Sequence, residues 1–110
     1  MKIFVSMRFA DNVLYKEKRD GISNDYIELF DYFNLTPILI PNALKDPKKY
    51  FSQIKASGVF LTGGDDPRMN SSRTNTEKLL IKYAIQKKLP IFGVCRGLQI
   101  LNIYFDGAVK

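Results

Sequence analysis

Pro90-Ile91-Phe92-Gly93-Val94-Cys95-Arg96-Gly97-Leu98-Gln99 is the stretch on which the reading of this chain turns. The apolar run from Leu89 to Val94 reads as a buried strand, and the pattern from Leu98 to Phe105 recurs at helical spacing, so a strand-to-helix turn lies between them. The chain's one cysteine sits at the tip of that turn, with a glycine two residues to either side. Side chains at those two places would collide with the adjoining strand or helix, and Gly93 and Gly97 remove them. The turn also sets the sulfur over the first turn of the following helix, whose unpaired N–H groups and positive dipole end favour thiolate over thiol. An ordinary thiol titrates at about 8.5, so any such effect raises the nucleophilic fraction at neutral pH. The alternative is a small buried cysteine on a tight turn, since free cysteine is among the most buried residue types. The pentapeptide alone leaves both open.

Outward from the turn, strands and helices alternate. Lys2 to Ser6 is a short β-rich run, and Ile22, Tyr26, Leu29, Phe30 and Phe33 recur at helical spacing behind Ser23, a plausible cap. Pro37 to Ile40 reads as a second strand stopped by Pro41. Asp46-Pro47 has the form of an N-cap followed by proline at the first helical position, opening a helix to about Ile54. Gly58 to Thr62 is a third strand, Asn75 to Lys87 a helix with Leu79, Leu80, Tyr83 and Ala84 inward, and Ile91 to Val94 the fourth strand. This alternation favours right-handed crossovers and a parallel sheet covered on both faces. Ligands of such sheets bind at the carboxyl ends of the strands.

With 110 residues, 45% of them hydrophobic and including eight Phe and six Tyr, the chain has room for one domain (residues 1–110) with a sizeable core. A single cysteine cannot form an internal disulfide, which points to a reducing compartment and a cytoplasmic location. The apolar stretch at the N-terminus is too short for a signal peptide, and no run approaches membrane-spanning length. The formal charge of +6 comes from lysines scattered over helix faces and loops. That scatter describes a solvated surface, so neither a nucleic-acid groove nor a membrane surface is expected. Nothing in the pattern calls for a metal or another cofactor.

The third strand ends in Gly63-Gly64-Asp65-Asp66-Pro67, which taken alone is also what an ordinary surface turn looks like. Its position at a strand end gives it another use. A glycine-rich backbone there can present N–H groups toward a nucleophile on a neighbouring strand, as an oxyanion hole requires. One donor would come from Gly64 or its neighbour and the other from the backbone of Arg96.

Leu61 to Pro67, then Arg73 and Glu77 four apart, then Pro90 to Gln99, then Leu101-Asn102 and Asp106-Gly107 together resemble the class I glutamine amidotransferase superfamily. The resemblance is strongest to its gamma-glutamyl hydrolase branch, including gamma-glutamyl-gamma-aminobutyrate hydrolases and amidotransferase-like proteins of surface-polysaccharide gene clusters. Arg19-Asp20 and Thr36 to Asn42 resemble the polysaccharide-cluster members more loosely. The resemblance implies an α/β, flavodoxin-like three-layer sandwich with a mainly parallel sheet, incomplete at its C-terminal side. It also implies hydrolysis of a small gamma-glutamyl amide through a thioester on Cys95. By position, Gly64 and the Arg96 backbone would form the oxyanion hole, while Gly63 and Gln99 would help hold the glutamyl group. Arg73 and Glu77 match a motif on the preceding helix and are expected to be an exposed ion pair at helical spacing. For Gln99 the plain alternative is a helix residue facing solvent. Thr74 and Asp106 depart from the family pattern, at positions away from the proposed chemistry.

One departure matters more. The resemblance implies a histidine base, oriented by a carboxylate, downstream of the nucleophile, and these 110 residues contain no histidine. The chain therefore reads as the N-terminal half of an enzyme, and two functional classes stay open. One is a glutaminase-type hydrolase or amidotransferase that needs a further part, supplied by its own C-terminal half or joined by a synthase subunit. The other is a non-catalytic remnant or a module that binds a gamma-glutamyl ligand. A flavodoxin-like nucleotide binder is disfavoured, because neither glycine cluster has phosphate-loop spacing.

Overall fold

The computed structural model describes residues 1–65 and 71–105. Asp66-Pro67, Asp106-Gly107 and Lys110 lie outside the described residues. Strands β1 (Lys2–Ser6), β4 (Thr36–Ile40), β5 (Gly58–Leu61) and β6 (Ile91–Gly93) form one parallel sheet in the order β4-β1-β5-β6. These are the four strands expected from the sequence. Helix α1 (Asn24–Tyr32) covers one face, while α2 (Pro47–Ser52), α3 (Ser72–Gln86) and α4 (Arg96–Tyr104) pack on the other. The result is the α/β three-layer arrangement.

Period-two alternation sorts the strand residues between the two faces. Ile3, Val5 and Phe60 pack with Phe30 of α1, whereas Phe4, Val59 and Leu61 join Phe51, Leu80, Ile81, Ala84 and Ile100. Phe60 meets Phe30 edge-on with ring centres 5.0 Å apart.

Local signals set the helix ends. Ser23 Oγ accepts from Asp25 N–H at 3.3 Å, and an Asp46 carboxylate oxygen accepts from Lys49 N–H at 3.2 Å with Pro47 in the first turn. Helix α3 starts three residues earlier than expected because Ser71 caps it, its Oγ accepting from Thr74 N–H at 3.2 Å. Both α1 and α3 stop on a residue in the left-handed region, Asn34 (φ 56°) and Lys88 (φ 56°). The next N–H in each case reaches back, Leu35 to the Phe30 carbonyl and Leu89 to the Ala84 carbonyl, both at 2.8 Å. These closures aim the chain into β4 and β6.

Two features differ from expectation. A small antiparallel ribbon, β2 (Arg8–Phe9) with β3 (Asp20–Gly21), occupies the stretch read as a polar loop. Asn42 pins it to the end of β4: its backbone N–H donates to Asp20 at 2.8 Å, and its amide nitrogen to Asp20 and the Met7 carbonyl at 3.0 Å. Leu29 and Phe33, expected on the core face of α1, are exposed with Phe92 around an apolar groove between α1 and β6, because no described element packs against that part of the sheet. Among the described residues no helix is long and apolar enough to cross a membrane.

Candidate active site

The sheet runs from β1 outward to β4 and then reverses to β5 and β6, so its switch point lies between β1 and β5. At the carboxyl ends of the strands there, a cavity of about 460 Å³ is lined by Arg8 after β1, Thr62, Gly63 and Gly64 after β5, Cys95 after β6, and Asp25 and Tyr26 of α1. Parallel sheets place ligand sites in this crevice. Cys95, Gly63 and Gly64, which the sequence singled out separately, are thus brought together.

The elbow at Cys95 is closely packed. Cys95 holds φ 49° and ψ −111°, a left-handed backbone that a non-glycine residue adopts at a cost of about 1–3 kcal/mol. Its side chain is exposed, against the buried structural cysteine. A Cβ at Gly93 would stand 2.7 Å from the Gly97 carbonyl carbon, and one at Gly97 would fall on the Leu61 carbonyl oxygen, 2.8 Å from its carbon. That same Leu61 oxygen accepts from Val94 N–H at 3.2 Å, so β5 cannot retreat without losing its bond to the elbow. Arg96 and Gly97 already belong to α4, with Gly97 N–H donating to the Val94 carbonyl at 2.8 Å.

The glycine loop is held from beneath by a cation. Arg73, fully buried, donates from Nη2 to the Thr62 carbonyl at 2.9 Å and the Gly63 carbonyl at 3.2 Å, and from Nη1 to the Gly64 carbonyl at 2.8 Å. In a trans peptide the C=O and the next N–H point opposite ways, so drawing three carbonyls inward turns the following N–H groups away from Arg73. The Gly63 N–H illustrates this, donating to Tyr26 Oη at 3.1 Å. The Gly64 N–H follows the inward Gly63 carbonyl and is turned away from the guanidinium in the same sense. Gly64 holds φ 94°, open mainly to glycine.

Arg73 and Glu77 correct the expectation of an exposed pair. Both are fully buried, with Arg73 Nε 3.2 Å from Glu77 Oε1. Glu77 Oε1 also accepts from Arg96 Nη1, and Arg96 Nη2 donates to Thr74 Oγ1 at 3.0 Å. At the other end Arg73 Nη1 pairs with Asp65 at 2.9 Å, and Asp65 accepts from Phe9 N–H at 3.0 Å. A chain of alternating charges thus runs from the ribbon, under the glycine loop, to the residue that follows Cys95. Buried charges persist only when paired in this way. Burial alone would raise the Asp65 carboxyl, but the Phe9 N–H and Arg73 outweigh it and hold the group below its ordinary value. Burial lowers the Arg73 guanidinium, and Asp65 opposes that.

Gln99 is exposed on the first turns of α4 and does not line the cavity; its backbone N–H donates to the Cys95 carbonyl at 3.1 Å. Among the described residues no cluster of His, Cys, Asp or Glu could hold a metal. Sequence reasoning passed over Arg8, Tyr26 and Asp25. For Tyr26 a signal was available, since a half-buried phenol on a core-facing helix position needs a polar partner.

The pattern defining the Peptidase C26 family matches residues 3–110. The chain belongs to that family. It is 32% identical over 119 aligned positions, covering the whole chain and 58% of the relative, to a gamma-glutamyl-CDP-amidate hydrolase of Campylobacter jejuni. It is 28% identical over 102 positions, covering 80% of the chain and 40% of the relative, to a gamma-glutamyl-gamma-aminobutyrate hydrolase of Escherichia coli. The chain thus spans little more than half the length of the first of these relatives and less of the second. The Peptidase C26 match accords with the flavodoxin-like layering of the sheet.

Proposed function

We propose that this chain carries the nucleophile and anion-stabilising half of a gamma-glutamyl amide hydrolase. In this reading the Cys95 thiolate attacks the γ-carbonyl carbon, the C–N bond breaks as the leaving amine takes a proton from water, and a thioester remains for a second water to cleave. The developing oxyanion lies against the Gly64 N–H and the Arg96 backbone, and Gly63 provides the close approach beside Cys95, while Gln99, outside the cavity lining, is left without a part in holding the glutamyl group. One observation carries the proposal. A Cβ at Gly63 would be 3.6 Å from the Cys95 Cβ, so the inverted glycine loop lies directly beside an exposed cysteine on a strained elbow. The relatives named as gamma-glutamyl hydrolases support the substrate class.

No histidine occurs among the 110 residues, so they hold no imidazole to move the proton in the second step. Residues 1–110 then act as part of one amidotransferase-like domain. The base comes from a further part of that domain, and a synthase subunit, where one joins it, would accept the released ammonia. A reducing cytoplasm suits a nucleophile that must stay a thiol. The test is intact-mass spectrometry of the purified chain after incubation with a gamma-glutamyl amide. The expected result is slow gain of one glutamyl group, absent in Cys95→Ala, with multiple turnover no faster than background. No adduct on the folded chain would favour the binding-module alternative, and steady turnover abolished by Cys95→Ala would show that another residue serves as base.

A further inference from the structure

Among the described residues, the buried charges beneath the Cys95 cavity are paired with one another. Within the buried chain, Arg73 and Arg96 face Asp65 and Glu77, two of each sign. Arg8 is an additional cation. Its side chain lies against the glycine loop, with Cβ, Cδ and Nε 3.2 to 3.3 Å from the point where a Gly64 Cβ would stand. Asp65, one residue further on, is already committed to Arg73 and to the Phe9 N–H, and no ion pair engages Arg8 among the described residues. Burial lowers the Arg73 guanidinium and the like charge of Arg8 adds to that, a repulsion that an anion in the cavity would relieve. Asp25, an exposed carboxylate in the first turn of α1, lines the same cavity.

A cavity offering one uncommitted guanidinium, one carboxylate and a nucleophile fits a ligand that carries both charges at one end and an acyl carbon at the other. We propose that Arg8 determines the specificity of this site, its guanidinium taking the α-carboxylate of the γ-glutamyl group while Asp25 takes the α-ammonium. This rests on the thioester reading above. The acyl carbon and the α-carboxylate carbon of an extended glutamyl group are roughly 5 Å apart, and Arg8, lying on Gly64, lines the same cavity as Cys95. About 460 Å³ accommodates an amino acid and part of its leaving group. A leaving-group phosphate is the other source of an anion, but it would gain nothing from Asp25.

The test uses the 110-residue chain and the chloroketone analogue of L-glutamine, which alkylates a thiol without amide hydrolysis. Its rate on Cys95 is compared with those of analogues lacking the α-carboxylate or the α-amino group, each normalised to iodoacetamide. Wild type should favour the carboxylate-bearing reagents by roughly 10- to 100-fold, the range for a charge-assisted contact. In Arg8→Gln that preference should fall to near one, in Arg8→Lys part of it should return, and Asp25→Asn should lose the preference for the α-amino group. Arg8 is exposed, so the variants should melt like wild type. An equal carboxylate preference in wild type and Arg8→Gln would overturn the assignment. So would an effect of Arg8→Gln confined to substrates with anionic leaving groups. A preference that collapses in Arg8→Gln, on a chain that never forms a glutamyl adduct from an amide, would keep Arg8 in its role and sink the hydrolase reading instead.

Discussion

The two loops that meet at the cavity are held in shape by opposite means. The Cys95 elbow is fixed by contact: backbone atoms of β5, β6 and α4 approach so closely that only hydrogen fits at Gly93 and Gly97. The Gly63-Gly64 loop is fixed by charge, its carbonyls gathered onto the buried Arg73 guanidinium. Contact fixes a position without specifying polarity, whereas the guanidinium also dictates which way each peptide dipole faces. A nucleophile needs the first kind of control and an oxyanion site needs the second. Glu77 joins them, since it touches both Arg73 and Arg96.

If that difference is real, the largest loss should come from removing the charge. Arg73→Met takes from Asp65 its ion pair and leaves Glu77 with Arg96 alone, and breaking a buried pair in this way costs about 3–5 kcal/mol. Urea denaturation should show it; a loss under 1 kcal/mol would mean the loop is not held by Arg73. Next comes Gly97→Val at the elbow, where the added atoms meet the Leu61 peptide. A cost of about 2–3 kcal/mol is expected from overpacking against backbone that cannot give way. Gly63→Ala should cost less than about 1 kcal/mol, because its Cβ would meet only Tyr26 Oη at 3.3 Å and the Cys95 side chain at 3.6 Å. Equal losses at Gly97 and Gly63 would erase the contrast.

Acid gives the smallest effect and touches the charged loop alone. The Asp65 carboxyl is held below its ordinary value in the folded chain, so it binds protons more readily when unfolded. Its contribution is complete above the unfolded value of about 3.9 and is lost as pH falls through the folded one. Wild type should therefore lose more melting temperature than Asp65→Asn between pH 5 and pH 3. Parallel acid profiles would show that the Asp65 contacts to Arg73 and Phe9 contribute nothing.

The sequence disclosed those parts of the fold that depend on neighbours along the chain. Ser23, Asp46 and Pro47 act where they stand, and Gly93 and Gly97 announce a turn whose geometry follows from their spacing. What it concealed depends on residues far apart. Arg73 and Glu77 at a spacing of four look the same on a solvated face as in a core. Only the arrival of Arg96 from nineteen residues beyond Glu77 and of the β5 carbonyls tells the two apart. Arg8 was hidden for a related reason. Its place depends on a ribbon of two-residue strands pinned by Asn42, too short to leave a periodic trace. Leu29 and Phe33 show the converse, since their spacing marks an apolar helix face but not whether anything covers it.

The central claim is that the contact-held cysteine and the charge-held loop act together on one acyl carbon. Release of p-nitroaniline from gamma-glutamyl p-nitroanilide tests it most directly, followed in wild type, Arg73→Lys and Cys95→Ala, with iodoacetamide alkylation of Cys95 as the reference. The account predicts a burst approaching one equivalent in wild type and none in Cys95→Ala. It also predicts a burst slowed roughly 10²-fold or more in folded Arg73→Lys, with alkylation little changed, because a disturbed oxyanion donor costs about that much. A burst equally fast in Arg73→Lys, or slowed only in proportion to alkylation, would contradict it.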